Sequence, residues 1–440
     1  MKKITYGKEI PVRYEVDLCV AGGGPAGLAA AIVAARQGLT VYMADSHGFF
    51  GGAATMAMVP AFMPFSNGGD FLTGGIGREI FDRCIEKGFH YNSHDSSVVG
   101  IVLEPYKKML DDMVQAEKNI QFTFFTTLID VVTEKGQVKQ CIFTSKSGIF
   151  AVEAKIYVDG TGDGDLCAWA GAKYELGGPD EPLMPSTLCS LWSEVDWDNK
   201  QFSDAEHLEE AIQDGVFSQH DRHLPGMFKT GQRNIGGGNI SHSFAIDATD
   251  EVSLTEGMLV GRKVLPEYEK YYNEYLKRGY ATSQIVATAP YLGIRESRRI
   301  MGDYVLTGDD FMSRARFEDE IGVFSYPIDI HPTNASAERI ARFKNEHGAQ
   351  RYEKGEFYGI PYRVLLPLGL DNVYVAGRCA SFDRKMQSSI RVMPGCFIMG
   401  QAAGVGAYLA IKGNKTPREI DVSELRKILK DIGAYLPNIS

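Results

Sequence analysis

The chain has 440 residues, of which 44% are hydrophobic and 23% are charged, as in ordinary globular proteins with two or three domains. The formal net charge of −10 argues against a nucleic-acid partner, because phosphate binding needs clustered lysine and arginine. No apolar run approaches the roughly eighteen residues of a membrane span, so no membrane insertion is expected.

The cysteines and the first residues bear on the cellular compartment. The seven cysteines are scattered, odd in number and contain no C-x-x-C pair, so neither a disulfide framework nor a thiol relay is expected. Residues 1–20 include two lysines near the start but no apolar core of signal-peptide length after them. We therefore expect a cytoplasmic protein.

Residues 15–48 contain the first strong motif. An apolar run at 16–21 predicts a buried parallel strand, and residues 25–37 predict a helix that ends before a glycine. A second strand is predicted at 40–44 and is followed by Asp45. This order of strand, glycine-rich turn, helix, strand and acid is typical of a nucleotide-binding unit.

The glycines of this unit fit the spacing G-x-G-x-x-G. Gly22 permits the tight turn, Gly24 lets the backbone approach a pyrophosphate, and Gly27 lets helix and strand pack closely. The helix N-terminus offers free N–H groups to the anion, and Asp45 is placed to accept hydrogen bonds from the adenosine ribose. The unit by itself leaves open whether the dinucleotide is FAD or NAD.

Later segments favour FAD. Residues 120–158 read as short strands with turns at Gly136 and Gly148, an inserted β-meander. The chain then reaches the segment "VDGTGDGD" at 158–165, and a buried strand at 373–376 precedes a small-residue helix at about 394–412. This arrangement resembles the FAD-binding fold shared by glutathione reductases, amine oxidases and fumarate reductases.

Eight segments together resemble the bacterial FAD-dependent oxidoreductase family, which is related to fumarate reductase flavoproteins. The segments are "GGGPAG", "GFFGGAATM", "VDGTGDGD", "GIRESRRIMGDYVLT", "YPIDIHP", "IPYRVLLP", "VAGRCAS" and "SIRVMPGCFIMGQAAG". The resemblance covers most of the chain and is specific for family and cofactor, but less so for substrate. It implies an α/β fold, with a glutathione-reductase-like FAD-binding Rossmann domain and a second α+β domain.

The resemblance also implies a domain organisation. Residues 1–174 and 355–440 would form the FAD-binding domain, the latter with a C-terminal tail. Residues 175–354 would form an inserted substrate or cap domain, in which a tyrosine-rich helix is interrupted near Pro266. Substrate would lie between the domains, against the flavin ring. No second strand-linked G-x-G-x-x-G is present, so the electron donor or acceptor is unknown.

FAD is expected to be bound without a covalent link. His47 lies only two residues beyond Asp45, too near the adenosine to reach the flavin methyl group. Related proteins often carry Gly-Asp where this sequence has Gly377-Arg378, which weakens any role inferred for residue 378. The resemblance implies cofactor contacts from Gly22, Gly24, Pro25, Ala26, Gly27, Asp45, Gly52, Thr161, Gly162, Asp163, Gly377, Arg378, Met393 and Pro394.

A metal site is not expected. Asp159, Thr161, Asp163 and Asp165 fall at places typical of a calcium-binding loop, but the twelfth place, where a bidentate glutamate should stand, is Ala170. Asp163 is instead the expected polar contact to FAD. Asp165 is an alternative contact or a cap for the helix that follows.

The candidate catalytic residues are Arg295, Arg391, His331 and Tyr362. Arg295, with Arg298 and Arg299, could bind a substrate carboxylate in bidentate geometry, or belong to a salt-bridged helix. Arg391 precedes the final helix and could approach the flavin or a substrate carboxylate, with a phosphate or loop contact as the alternative. His331 is a potential base and Tyr362 a potential phenolic acid; a structural role is the alternative for each.

These features predict an FAD-dependent oxidoreductase that exchanges a hydride between flavin N5 and a small polar organic substrate, with a carboxylate as the leading candidate. Two alternatives remain open. One is a flavoprotein with net non-redox chemistry, such as a hydratase or isomerase. The other is a flavin-loaded subunit that relays electrons to a partner. Cys379 and Cys396 are interpreted as small packing residues rather than a redox pair.

Overall fold

The computed structural model describes residues 2–4, 7–92, 98–178, 182–199, 205–222, 226–336, 338 and 351–439. The helices are Pro25–Arg36 (α1), Ile76–Glu86 (α2), Leu103–Gln115 (α3), Asp165–Trp169 (α4), Leu208–Gln213 (α5), Glu251–Tyr271 (α6), Gly308–Ser313 (α7), Arg384–Ile390 (α8), Met393–Gly413 (α9) and Val422–Asp431 (α10). Short 3₁₀ turns form at Gly52–Ala54 and Tyr362–Leu365, and a π-helical turn forms at Tyr272–Leu276.

The strands are Val12–Ala21 (β1), Val41–Ala44 (β2), Ala61–Phe62 (β3), Tyr91–Asn92 (β4), Val98–Gly100 (β5), Ile120–Thr123 (β6), Thr127–Glu134 (β7), Gln137–Ser145 (β8), Gly148–Asp159 (β9), Tyr174–Leu176 (β10), Ser190–Ser193 (β11), Met227–Lys229 (β12), Gly236–Gly238 (β13), Gln284–Thr288 (β14), Arg298–Ile300 (β15), Glu320–Phe324 (β16), Tyr358–Pro361 (β17) and Val373–Val375 (β18).

A parallel sheet forms the centre of the molecule. Its parallel strands lie in the order β6-β2-β1-β9-β18, the arrangement expected of a Rossmann-type unit. The first half of β9 pairs antiparallel with β8, and its last residues pair with β18 on the same side. Strands β7, β8 and β9 form the inserted meander, whereas β6 pairs with β2 in the main sheet. The fold is therefore mixed α/β with a Rossmann-like FAD-binding domain.

Helices α1 and α9 pack at glycine positions. A Cβ on Gly400 would lie 2.1 Å from the carbonyl oxygen of Ala26, and one on Gly404 would lie 2.6 Å from that of Ala30. These distances are below van der Waals contact, so the two backbones can approach this closely only because both positions lack side chains. Among the described residues α9 is the helix long and apolar enough to cross a membrane, but 89% of its apolar window is buried inside the protein.

A second hydrophobic core lies apart from the sheet. It packs the antiparallel sheet β12-β13-β11-β14 against α6, with Trp192, Tyr268 and Tyr272 among its buried side chains. Its residues fall mainly between 188 and 292. Residues 300–324, expected in the cap domain, instead contribute Ile300 and Phe311 to the core around the FAD-binding sheet. The two cores thus divide the chain differently from the predicted boundary at 354.

Two local expectations were wrong. Helix α6 continues through Pro266 to Tyr271, because a face that includes Leu265 and Tyr268 is buried and tertiary packing outweighs the cost of a proline in a helix. The arginine-rich segment near residue 295 is not helical. It is extended, and Arg298–Ile300 pairs antiparallel with β10.

Replacing Gly400 with alanine should destabilise the FAD-binding domain by about 2 kcal/mol or more, because the added methyl group forces α1 and α9 apart. The free energy of unfolding, from urea titration followed by circular dichroism, measures this cost. Gly413→Ala in the same helix is the matched control. Its Cβ would meet only the flexible side chain of Lys415, at 3.3 Å, so a change within about 1 kcal/mol is expected. Equal effects of both substitutions would contradict the packing argument.

Candidate functional site

A cavity of about 510 Å³ lies between the two hydrophobic cores. Its volume is within the range of small-molecule and cofactor sites. Residues of the first βαβ unit line one part of it. Cys189 just before β11, Phe228 of β12, Asn239 just after β13 and the segment around Arg295 line another. The predicted site residues in its wall are Gly22, Gly24, Pro25, Ala26, Asp45, Gly52, Thr161, Gly162, Asp163, Arg295, His331, Gly377, Arg378, Arg391 and Met393.

The glycine-rich turn after β1 forms one end of the cavity. Gly22 adopts a φ of +95°, and a Cβ there would lie 2.5 Å from the carbonyl oxygen of Gly160. Gly24 precedes α1, and no side chain caps the first turn of this helix. The uncapped N–H groups therefore remain for an anionic group at this end of the cavity.

Asp45 ends β2 in the wall of the cavity. Its Oδ2 accepts a hydrogen bond of 2.9 Å from the backbone N–H of Gly23, and its Oδ1 accepts one of 2.8 Å from that of His47. The carboxylate is 8% exposed. These two bonds fix its orientation and leave acceptor lone pairs available at the predicted ribose position.

The three aspartates after β9 have different partners. Asp159 is fully buried and accepts bonds from Thr161 and from the N–H of Cys167 at the start of α4. Asp163 pairs with Arg378 at 2.5 Å, and Asp165 pairs with Arg298 at 2.6 Å. The predicted cap of α4 by Asp165 is therefore wrong, since Asp159 accepts the hydrogen bond from Cys167 N. Burial and the neighbouring Asp163 and Asp159 charges raise the pKa of Asp165 to about 6.

Arg378 lines the cavity and has one donor nitrogen without a hydrogen-bond partner among the described residues. One terminal nitrogen binds Asp163, while its buried Nε has no hydrogen-bond partner among the described residues. A Cβ on Gly162 would lie 2.8 Å from the guanidinium, so a glycine is needed for this close packing. A guanidinium in the wall of the cavity can also donate to an anionic group such as a phosphate.

The N-terminus of α9 forms a further part of the wall. Val392, Met393 and Cys396 line the cavity, and no side chain caps the first turn of this helix. The helix dipole therefore favours negative charge at this position. Burial raises the pKa of Cys396 to about 12, so this thiol is neutral and matches a packing role better than a redox one.

Arg295 is a buried cation whose protein partners are neutral. It is 6% exposed and donates to Pro185 O at 2.9 Å, Thr187 Oγ1 at 2.8 Å and Asn239 Oδ1 at 3.3 Å. Burial, with a contribution from the charge of Arg391, lowers its pKa to about 10, so it remains charged at neutral pH. No carboxylate of the described chain forms an ion pair with it.

Arg391 and His331 share one carboxylate, that of Asp329. Arg391 donates to Asp329 Oδ2 at 3.0 Å and to its backbone oxygen at 3.2 Å, and His331 Nε2 lies 3.5 Å from the same Oδ2. Burial acts to raise the pKa of Asp329, but the charges of His331, Arg391 and Arg295 outweigh it and hold the pKa well below its usual range. Asp329 therefore stays ionised.

Tyr362, Arg298 and Arg299 do not line the cavity. Tyr362 is withdrawn as a catalytic candidate because it does not line the cavity. Its hydroxyl group lies 2.6 Å from that of Tyr374 and 2.8 Å from Pro417 O. Arg299 forms ion pairs with Glu296 and Glu175, as the salt-bridge alternative predicted.

Two residues of the predicted cofactor set also lie outside the lining of the cavity, namely Gly27 and Pro394. A Cβ on Gly27 would lie 1.9 Å from Gly22 O, so this glycine serves helix–strand packing. Pro394 is buried in the first turn of α9.

Several lining residues were not singled out from the sequence. Asp329 stands two positions before His331, and this spacing on an extended chain was a usable signal. Thr187, Asn239 and Tyr291 come from three separate segments of the chain, and no motif marks them.

The model of the FAD dependent oxidoreductase family matches residues 17–429. The chain belongs to this family. It is accordingly an FAD-dependent oxidoreductase, a redox enzyme with FAD as its cofactor. A comparison with curated proteins gives no match.

Comparison with solved structures gives distant likenesses. A geranylgeranyl bacteriochlorophyll reductase-like protein of Thermoplasma acidophilum is 14% identical, with 96% of this chain and 84% of that chain covered and a TM-score of 0.49. The p-nitrophenol 4-monooxygenase of Pseudomonas putida DLL-E4 is 12% identical, with 96% of this chain and 87% of that chain covered and a TM-score of 0.48. A chain of the Sdh1 complex of Mycobacterium smegmatis is 13% identical, with 95% of this chain and 72% of that chain covered and a TM-score of 0.41. The assignment rests on the family match.

The cavity of this FAD-dependent oxidoreductase fits its cofactor. Two uncapped helix N-termini, the glycines around Gly24 and the unused Nε of Arg378 suit an elongated group with phosphates. Asp45 would hold the ribose, Gly22 and Gly24 the pyrophosphate, and the start of α9 the flavin edge.

Replacing Arg378 with methionine should weaken FAD binding roughly 10- to 100-fold, because a charge-assisted bond is lost and Asp163 is left unpaired. Titration of the apoprotein with FAD, followed by flavin fluorescence, measures the dissociation constant. The control is Arg363→Met. Arg363 forms an exposed pair with Asp319 outside the cavity lining, so it should leave the constant unchanged. Unaltered affinity in the Arg378 variant would remove this residue from the cofactor site.

Proposed function

We propose that this oxidoreductase acts on a small organic carboxylate, which Arg295 and Arg391 bind beside the FAD. The observation that carries the proposal is the buried guanidinium of Arg295, whose partners among the described residues are all neutral and which lines the same cavity as Arg391. A buried cation without a counter-charge costs several kcal/mol. An anionic ligand would remove that cost.

Charge counting within the cavity supports the same choice. Arg295, Arg391 and a protonated His331 would face one carboxylate, Asp329, whereas Asp221 is hydrogen-bonded to His242. Of these groups, the ones that line the cavity carry a net positive charge even if His331 is neutral, because Asp221 lies outside the lining. The Nε of Arg391 is buried and lacks a hydrogen-bond partner among the described residues, so a donor remains for a substrate oxygen.

The protein would supply binding, orientation and a proton. Bound FAD supplies hydride exchange at flavin N5. Each hydride that reaches or leaves a substrate carbon is accompanied by one proton, and His331 Nε2, in the cavity wall near Asp329, would donate or accept it. Arg295 and Arg391 would fix the carboxylate and so orient the reacting carbon.

We also propose a glutathione-reductase-like form of the FAD-binding domain and a relation to fumarate reductase flavoproteins. The inserted meander β7–β9 and the return of the chain to the sheet at β18 support the first, and the sequence motifs support the second. The seven cysteines are all buried and free, which suits a cytoplasmic location.

The visible spectrum of the FAD-loaded protein tests this function. A panel of hydroxy, amino and unsaturated carboxylates, with their amides, alcohols, amines and sugars, would be added anaerobically to oxidised and to dithionite-reduced protein. Bleaching or re-oxidation by a carboxylate but not by its amide is expected. Response to uncharged compounds alone would refute a carboxylate substrate, and response to none would favour a non-redox enzyme or an electron-relay subunit.

Arg295→Gln should lower kcat/KM for the responding carboxylate roughly 30-fold or more, because a buried charge-assisted contact is lost. The rate of anaerobic flavin bleaching or re-oxidation at several substrate concentrations measures the effect. Arg13→Gln, at an exposed arginine bonded to Ser147, should leave it unchanged. FAD content and melting temperature identify variants that are misfolded. If a well-folded Arg295 variant kept full kcat/KM, Arg295 would not be part of the carboxylate site.

A further inference from the structure

We propose that Asp221 and His242 are positioning residues that keep His331 protonated on Nδ1, so that Nε2 is the atom that exchanges a proton with substrate. The role in turnover rests on the proposed function, whereas the protonation pattern rests on the contacts and burial of these side chains and needs no substrate. Neither Asp221 nor His242 belongs to a recognisable sequence motif, and neither lines the cavity.

The four side chains form a continuous line of polar contacts. Asp221 Oδ2 lies 2.8 Å from His242 Nδ1, His242 Nε2 lies 3.1 Å from His331 Nδ1, and His331 Nε2 lies 3.5 Å from Asp329 Oδ2. All but Asp329 are almost fully buried, with exposures of 3% for Asp221, 0% for His242 and 6% for His331. Water therefore does not compete strongly for these bonds.

The order of donors and acceptors follows from Asp221. An ionised carboxylate only accepts, so His242 donates from Nδ1. Burial lowers the pKa of His242 in spite of the opposing effect of Asp221, which favours a neutral ring. A neutral ring protonated on Nδ1 has a lone pair on Nε2, so the 3.1 Å contact requires His331 Nδ1 to be the donor.

The other nitrogen of His331 then carries the chemistry. In the imidazolium form Nε2–H points towards Asp329, which is also held by Arg391, while Arg295 is the other nearby cation. When the Nε2–H bond breaks and its proton goes to the substrate atom, the bonding pair stays on Nε2 and the ring becomes neutral. The Nδ1–H bond to His242 is unchanged, so no tautomer exchange is needed in either direction.

This line also crosses the boundary between the two cores. His242 is next to Ser241 and Ser243, whose backbone oxygens accept bonds from Thr187 and Ser186 in the cap region, whereas His331 follows Ile328 of the first core. The position of His331 is therefore set from both sides of the cavity. Tyr326, through Asp329, is the remaining titratable neighbour on the segment of His331.

Nitrogen NMR of the FAD-loaded, ¹⁵N-histidine-labelled protein tests the inference without any substrate. The nitrogen signals of His331 would be assigned as those that disappear in the spectrum of His331→Gln. Across the pH range in which the protein is stable, Nδ1 of His331 should remain protonated, and only Nε2 should change between protonated and unprotonated. A neutral His331 with the proton on Nε2 and a bare Nδ1 would overturn the proposal before any other variant is made.

Asp221→Asn should move the constant proton of His331 from Nδ1 to Nε2. The reason is that an amide can donate to His242 Nδ1 and so move the proton of His242 to its Nε2. His331 Nδ1 then becomes the acceptor. His242→Gln should keep the proton on His331 Nδ1, since the Gln side-chain oxygen can accept a hydrogen bond from Nδ1–H. His242→Leu has no acceptor there, so this preference for Nδ1 should be lost. An unchanged His331 in both Asp221→Asn and His242→Leu would refute a positioning role. His207→Gln, at an exposed histidine paired with Glu210, is the control.

Turnover of a responding carboxylate provides the second readout. Asp221→Asn should lower kcat roughly 10- to 100-fold, with KM changed by less than about 3-fold, because the proton is exchanged from the wrong nitrogen. Equal loss of FAD content and kcat would indicate a merely structural role and overturn the proposal. If no carboxylate responds, the proposed function fails, while the protonation of His331 is still decided by NMR.

Discussion

Strand β9 pairs in parallel with β1 on one side and with β18 on the other, and the cavity depends on this pairing. Asp159 lies opposite both Ala21 and Val375, so the three strands end at the same level of the sheet. Parallel strands present their carboxyl ends at one edge. Three turns remote in sequence, at Gly22, Gly160 and Gly377, consequently meet there and line one cavity with the N-termini of α1 and α9.

The opposite wall has a different physical basis, because it relies on charge rather than on backbone groups. Arg295 is held by neutral oxygens, which fix its direction without neutralising it. Asp329 supplies one negative charge for Arg391 and His331. A full set of carboxylates would have produced a stable but closed salt-bridge network, as Glu296 does with Arg299 and Arg384 nearby. In the proposed function, this incomplete compensation would make this wall a binding surface for an anion.

The sequence predicted the parts of this site that depend on local chain geometry. The turn at Gly22, helix α1 and the end of β2 at Asp45 each follow from a few consecutive residues, and the boundaries of these elements agree with the structure within a few residues. The segment around Arg295 was harder, because arginine spacing alone does not distinguish a helix from an extended chain that pairs with β10. His242 lies 89 positions from His331, and no periodicity links residues so far apart. The sequence therefore predicted the cofactor side better than the substrate side.

The ion pair of Asp163 and Arg378 joins the loop after β9 to the turn after β18. Where related flavoproteins often carry an acid after the glycine, this chain carries Arg378, and the negative charge lies on Asp163 of the loop after β9 instead. The pair as a whole is neutral, and the buried Nε of Arg378 has no hydrogen-bond partner among the described residues. An acid at residue 378 would repel Asp163 across the close contact at Gly162. The two residues must therefore be understood as one unit, in which Asp163 of the loop after β9 fixes the guanidinium of Arg378 in the wall of the cavity.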